Sequence, residues 1–345
     1  MNPIINLILL SSMIAGTILA TTSHHWVSTW LGLELNTLAI IPIISKTHHP
    51  RATEASTKYF LIQAASSTLF LLSGISNAFL HGTWDMTHLS NNLSSILLTT
   101  ALATKLGLAP IHFWLPEVLQ GVPIFTALII TTWQKIAPLA ILMTTWNLIP
   151  SSITLTMGLL STIIGGLGGL NQTQLRKMMA YSSIAHLGWM ITIITIAPHL
   201  TMFNLSLYIT FTSSAMLIMH LTTSKTLQNT TLISSHSPII TSLFLLSLLS
   251  IGGLPPLSGF SPKWLILQEL TLHHLTPLAL TMAMMALLSL MFYLRTTYIS
   301  TMTLPPSSSP LKNTWRLKPH LNTLPLSMLT TPTLLLLPLT PLMTQ

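Results

Sequence analysis

Cysteine is absent from the 345 residues. That excludes disulfides, thiolate zinc sites and iron–sulfur ligation within the chain. Charge is scarce as well: 5% of residues are Asp, Glu, Lys or Arg, and only five are acidic. A soluble domain carries about 25% charged residues, so this chain cannot clothe a water-facing surface. No Walker motif occurs, and no GxGxxG follows a strand pattern. GGLGGLNQTQLRK (165–177) carries glycines at another spacing, and Gly165, Gly166, Gly168 and Gly169 are expected to let helices approach closely. No HExxH or other metal spacing appears. Cofactor and metal sites are therefore not expected in this chain.

Half of the residues are hydrophobic and the mean hydropathy is +0.68. The expected class is an all-α polytopic membrane protein, with 1–345 as a single transmembrane domain. The net charge of +8 raises nucleic acid as a partner, but the basic residues lie in short loops between apolar spans, so no nucleic acid is expected. No Lys or Arg precedes Lys46. The N-terminal apolar stretch thus lacks the basic region of a signal peptide and reads as a first, uncleaved span.

A span needs about 20 mostly apolar residues. Stretches near 3–20, 26–44, 59–80, 95–116, 124–146, 152–170, 178–197, 202–221, 239–268, 275–294 and 323–343 qualify, about eleven transmembrane helices. The charge pattern tests this phase. Lys46, Arg51 and Lys58 follow the second span, Arg176 and Lys177 the sixth, Lys225 the eighth, and Arg295, Lys312, Arg316 and Lys318 the tenth. All fall on one side, and the opposite loops hold no Lys or Arg. The N-terminus is expected on that basic side and the C-terminus on the other. The Pro- and Ser-rich segment 299–322 reads as a connector loop, before a C-terminal helix over 323–343.

Three basic residues remain, and they lie inside apolar stretches: Lys105, Lys135 and Lys263. A charge at the bilayer centre costs about 2.5–3.5 kcal/mol on insertion scales. Snorkelling rescues a lysine near a helix end but not one near the middle. Among the acids, Glu54 and Asp85 read as loop residues, Glu117 and Glu269 lie near span ends, and Glu34 alone lies mid-span. Three amines facing one carboxylate cannot all stay charged in a low dielectric. At least one lysine is expected to shed its proton part of the time or to pair with Glu34, and such a group can relay protons.

Two spans read as broken. In ALATKLGLAPIHFWLPE, Pro110 removes a helix hydrogen bond and collides with the carbonyl of Leu106, next to Lys105. In LSIGGLPPLSGFSPKWLILQE, Gly252, Gly253, Pro255, Pro256, Gly259 and Pro262 cannot share one regular helix. Broken helices at membrane depth persist only where protein or water satisfies the freed backbone. Paired breaks point to a transport site. Lys263 follows Pro262 at a helix-start position, where the positive end of the helix dipole disfavours an ammonium. His112 and His186 lie deepest of the histidines and can pass protons or simply pack two helices. His24–His25, His48–His49 and His273–His274 sit at span ends.

KLGLAPIHFWLPEV (105–118), AYSSIAHLGWM (180–190) and SIGGLPPLSGFSPKW (250–264) together resemble, in order, segments of the antiporter-like membrane subunits of respiratory NADH dehydrogenases. The resemblance runs over nearly the whole chain. It implies two inverted five-helix repeats, about 3–146 and 152–298, with a broken helix in each. It implies a proton relay through Glu34, Lys105, Lys135 and Lys263, with His112 and His186 beside it. It places NADH, FMN, iron–sulfur clusters and ubiquinone in other subunits. The implied partners are those membrane subunits and the bilayer, with cardiolipin on the basic side. The family plan has fourteen helices, so three at the N-terminus are expected to be lacking. The competing reading is an independent cation/proton antiporter.

Overall fold

The computed structural model describes residues 3–89, 91–303 and 324–341, and every regular element among them is helical. In chain order the α-helices are α1 (Pro3–Thr22), α2 (Trp26–Ser45), α3 (Pro50–His81), α4 (Asn92–Leu106), α5 (Trp114–Gly121), α6 (Ile124–Thr131), α7 (Trp133–Thr144) and α8 (Ser151–Leu170). They continue with α9 (Leu175–Ile194), α10 (Pro198–Leu221), α11 (Leu227–His236), α12 (Pro238–Gly252), α13 (Phe260–Leu272), α14 (Thr276–Met302) and α15 (Leu324–Leu335).

The sequence is rich in Ser and Thr, which would expose donors to lipid. The helices answer this locally: hydroxyl after hydroxyl donates to the carbonyl three or four residues back, as Thr17 does to Ile14, Ser66 to Gln63 and Thr212 to Tyr208. The ends are capped by residues that composition alone does not single out. The Nδ1 atoms of His25 and His49 accept from the backbone N–H of Val27 and Arg51, capping α2 and α3.

Among the described residues, seven segments are long and apolar enough to cross a membrane unaided: α1, α2, α3, α6 with α7, α8, α10 and α14. The count of about eleven is therefore not reproduced by length and composition. The expected fourth and ninth spans are each two short helices, α4–α5 and α12–α13, as the prolines predict. Other boundaries move. α3 begins at Pro50, so Arg51, Glu54 and Lys58 stand on a helix rather than in a loop. α11 occupies what reads as a loop, and α14 runs to Met302, past the expected start of the connector at 299. The rest of that connector, 304–322, lies outside the described residues. The C-terminal helix is shorter than 323–343: α15 ends at Leu335 and a 3-10 turn follows at Leu337–Leu339.

The chain forms two compact units, residues 1–161 with 190–198, and residues 162–189 with 199–345. In the first, α1 lies against α2 and α7, α2 against α3, α3 against α4 and α5, and α4 against α7. Glycine sets the α1–α2 spacing. A Cβ on Gly32 would come within 2.6 Å of the Ala20 nitrogen, and one on Gly16 within 2.8 Å of the Gly32 carbonyl oxygen. Such backbone contact is how helices associate where lipid supplies no hydrophobic drive.

In the second unit α14 contacts α11, α12 and α13, and α12 also contacts α15. Gly165 plays the close-approach role expected of it, since a Cβ there would meet the Ala185 nitrogen at 2.6 Å. The basic loops of this unit converge. The N–H of Leu175 donates to Lys225, that of Leu227 donates to Thr173, and the Arg295 guanidinium donates to the Leu170 carbonyl. Arg176, Lys177, Lys225 and Arg295 are thus tied to one end, as the alternation of basic and uncharged loops predicts.

Candidate functional site

In the first unit the break is built by a Schellman turn. Gly107 ends α4 at φ +78°, its N–H reaches Ala103 and Thr104, and the N–H of Leu108 reaches Ala103. A broken helix leaves carbonyls without partners, and neutral side chains answer them. The indole N–H of Trp114 donates to the Thr104 carbonyl at 3.2 Å, and the Gln63 amide donates to the Lys105 carbonyl at 3.4 Å. The Lys105 amine is left out of this arrangement. It is 6% exposed and has no hydrogen-bond partner. Sequence reading places Lys105 mid-span; the structure places it in the last turn of α4, where the negative end of the helix dipole favours a cation.

The expected fifth span remains one crossing segment but loses its regular helical turn at one point, which sequence reading missed. Thr132 interrupts it between α6 and α7, three residues before Lys135, and its hydroxyl donates to Leu128 at 2.7 Å. The available signal was Pro138, which cannot donate to the Gln134 carbonyl. Lys135 is 2% exposed. It and Lys105 line one cavity with Asn36, Tyr59, Gln63 and Gln134, of about 10 Å³, roughly the room one water requires. Glu34 stands beside it, half-buried, between Leu33 and Asn36, which line the cavity. Its Oε2 is buried without a hydrogen bond. Among the described residues it makes no direct ion pair with Lys105. The Gln134 amide donates to the Asn36 side-chain oxygen at 2.9 Å, tying the helix of Glu34 to that of Lys135. Asn36, Gln63, Tyr59, Trp114 and Gln134 are uncharged and at ordinary spacing, so nothing in the sequence singled them out.

His112 lies in the break itself, 3% exposed, with Nδ1 3.1 Å from the Pro110 carbonyl oxygen and its ring against Phe113. It does not line the cavity. At the outer end of this unit Lys58 pairs with Glu54 at 2.6 Å and with Glu117 at 2.7 Å, linking α3 to α5.

The second unit repeats the turn. Gly253 ends α12 at φ +82°, its N–H reaches Leu249 and Ser250, and the N–H of Leu254 reaches Leu249. Here the lysine itself answers a freed carbonyl: half-buried Lys263 donates from Nζ to the Gly252 oxygen at 2.7 Å. The disfavour expected from the start of α13 is therefore opposed by the carbonyl end of α12. The Ser258 hydroxyl donates to the Thr333 carbonyl, fastening α15 to this break. His186, on α9, packs its ring against Tyr208 with centroids 5.6 Å apart. Among the described residues no group of His, Asp and Glu is arranged to hold a metal.

A helical bundle with broken spans and a lysine at each break defines an antiporter-like membrane subunit. The chain belongs to that family: the NADH:quinone oxidoreductase/Mrp antiporter transmembrane model matches residues 23–289. A second model, NADH dehydrogenase subunit 2 C-terminus, matches residues 290–344. NADH-ubiquinone oxidoreductase chain 2 of Varanus baritji is 81% identical over the full length of both chains. The chain of that name from Latimeria chalumnae is 54% identical over 99% of each. In fold, the chain is similar to a subunit in a structure of respiratory complex I from Thermus thermophilus with bound aureothin. The TM-score is 0.87 at 24% identity, covering all of this chain and 80% of that one.

Proposed function

We propose that this chain is a core membrane subunit of the proton-pumping NADH:ubiquinone oxidoreductase, relaying protons along Glu34, Lys105, Lys135 and Lys263. The single observation that carries this reading is the cavity shared by Lys105 and Lys135, with an unpartnered amine on one wall and Glu34 between two residues that line it. Charging one site raises the free energy of charging its neighbour in a poorly screened interior. A proton arriving at one lysine thereby expels one from the next. His112 and His186 are secondary relay candidates. The repeats, about 3–146 and 152–298, make α4–α5 and α12–α13 counterparts.

The chain performs no redox step; NADH, FMN, iron–sulfur clusters and ubiquinone belong to other subunits, and quinone reduction there drives the relay. It lies in the mitochondrial inner membrane against other membrane subunits, with its N-terminus and basic loops facing the matrix and its C-terminus facing the intermembrane space. Cardiolipin headgroups are suited to the basic end. An independent metal-cation antiporter is disfavoured, because three amines and one carboxylate repel a cation that needs oxygen ligands. Lys135→Met in the intact enzyme tests the relay. Protons translocated per NADH oxidised should fall while the complex still assembles; an unchanged ratio refutes the reading.

A further inference from the structure

The shared cavity has a polar wall that the charged residues do not account for. Tyr59 and Gln63 stand one turn apart on α3, 1% and 4% exposed, and both line it. We propose that Ser56, Tyr59 and Gln63 form the route by which a proton reaches the Lys105 amine from the end of the first unit where α3 begins. This rests on the relay reading above.

The outer end of the route is wet. Glu54, Lys58 and Glu117 form an exposed ion-pair cluster there, so water reaches this end of α3. Ser56, Tyr59 and Gln63 then follow at intervals of three and four residues, on one face of α3. Seven residues separate the first from the last, about 10 Å of helix axis. Ser56 is buried, and its hydroxyl donates to the Thr53 carbonyl at 2.8 Å, leaving its oxygen able to accept.

The inner end has an acceptor. The Gln63 amide is fixed on the carbonyl of Lys105 itself, and the buried Lys105 amine has no hydrogen bond of its own. Tyr59, Gln63 and Lys105 line the same cavity, which places the phenol and the amine side by side. The Tyr59 ring meets Trp114 edge-on with centroids 5.7 Å apart. A phenol both donates and accepts. Its O–H proton leaves towards the amine while another arrives on the same oxygen, so Tyr59 is unchanged. The net event is one proton moved from bulk water to a neutral Lys105.

Beyond the cavity the polar face is interrupted. Phe70, wholly buried, packs on buried Trp26 with ring centroids 5.2 Å apart. Gly74 leaves that indole no slack, since a Cβ there would lie 2.9 Å from it. Ser73 and Asn77 lie past this aromatic plug on the same helix. The buried polar face thus runs from the start of α3 past the cavity to Ser66 and Ser67, and the aromatic plug interrupts it there.

The test is proton translocation per NADH oxidised by the intact enzyme in sealed membranes, with assembly followed by native electrophoresis. Tyr59→Phe keeps the ring on Trp114 and removes the hydroxyl; translocation should fall clearly below wild type, to the level of Lys105→Met. Gln63→Met keeps the side-chain length without the amide and should also lower it. Gln63→Glu, which restores an oxygen, should recover what Gln63→Met loses, an outcome that a packing role would not give. Full translocation in both Tyr59→Phe and Gln63→Met overturns the route, as does failure of both to assemble. Lys105→Met in the same assay separates the two readings. If it lowers translocation while Tyr59→Phe does not, the route is wrong and the relay stands. If it leaves translocation intact, the relay falls and the route with it.

Discussion

The two breaks carry the same turn and use their lysines differently. Gly107 and Gly253 close α4 and α12 with matching positive φ and matching 6→1 hydrogen bonds. In the first unit the lysine precedes the break, and Trp114 and Gln63 satisfy the freed carbonyls. In the second the lysine follows the break and its own Nζ reaches back to Gly252. Both amines therefore belong to the carbonyl end of the first half-helix, despite lying on opposite sides of the break in sequence. The difference shows which lysine is committed to structure. Lys263 does a capping job that Trp114 and Gln63 do for the other break, while Lys105 is held in place without being engaged.

Breaking the turn itself should have the largest effect. Gly107→Val and Gly253→Val each force a β-branched residue into the left-handed region, where even an unbranched residue costs about 1–3 kcal/mol. A Cβ at 253 would also meet the Lys263 Nζ at 3.0 Å. Both variants should fail to accumulate in the assembled enzyme, as judged by native electrophoresis. Next comes the asymmetry of the lysines. Lys263→Met orphans the Gly252 carbonyl and should destabilise by about 1–3 kcal/mol. Lys105→Met orphans nothing and removes a buried amine, so its thermal dissociation temperature should stay at or above wild type. Equal losses in the two variants would erase the distinction.

Trp114→Phe sharpens the same point from the other side. It keeps an aromatic ring against Tyr59 but removes one of the two donors to the Thr104 carbonyl, leaving the Gly107 N–H, and it should cost about 0.5–1.5 kcal/mol, read as a lower dissociation temperature. The smallest effect is expected at the surface. Lys58→Met removes both ion pairs to Glu54 and Glu117, yet these groups are exposed and screened, so assembly and thermal stability should hardly change.

Much of this comparison was legible in the sequence, and the illegible part has a physical cause. Pro110 beside Lys105, and the Gly-Pro run before Lys263, announce the breaks because proline cannot continue a helix. In the second unit the convergence of the basic loops was readable because Lys and Arg are so few. The span count was not, since half-helices such as α5 are too short to register as membrane segments. The start of α3 was missed because charged residues at 51–58 mask a helix that continues out of the apolar zone. The Thr132 interruption was hidden in an apolar run, six residues before the proline that hints at it. The hydrogen-bond partners Gln63, Trp114, Asn36 and Gln134 depend on tertiary neighbours up to 98 positions away, which no local pattern reports.

The most direct test of the central claim, that Lys105 is held for proton transfer rather than for structure, is the number of protons translocated per NADH oxidised by intact enzyme carrying Lys105→Met. The account predicts a complex assembled at wild-type thermal stability with a clearly reduced ratio. A wild-type ratio in that stable complex would contradict it.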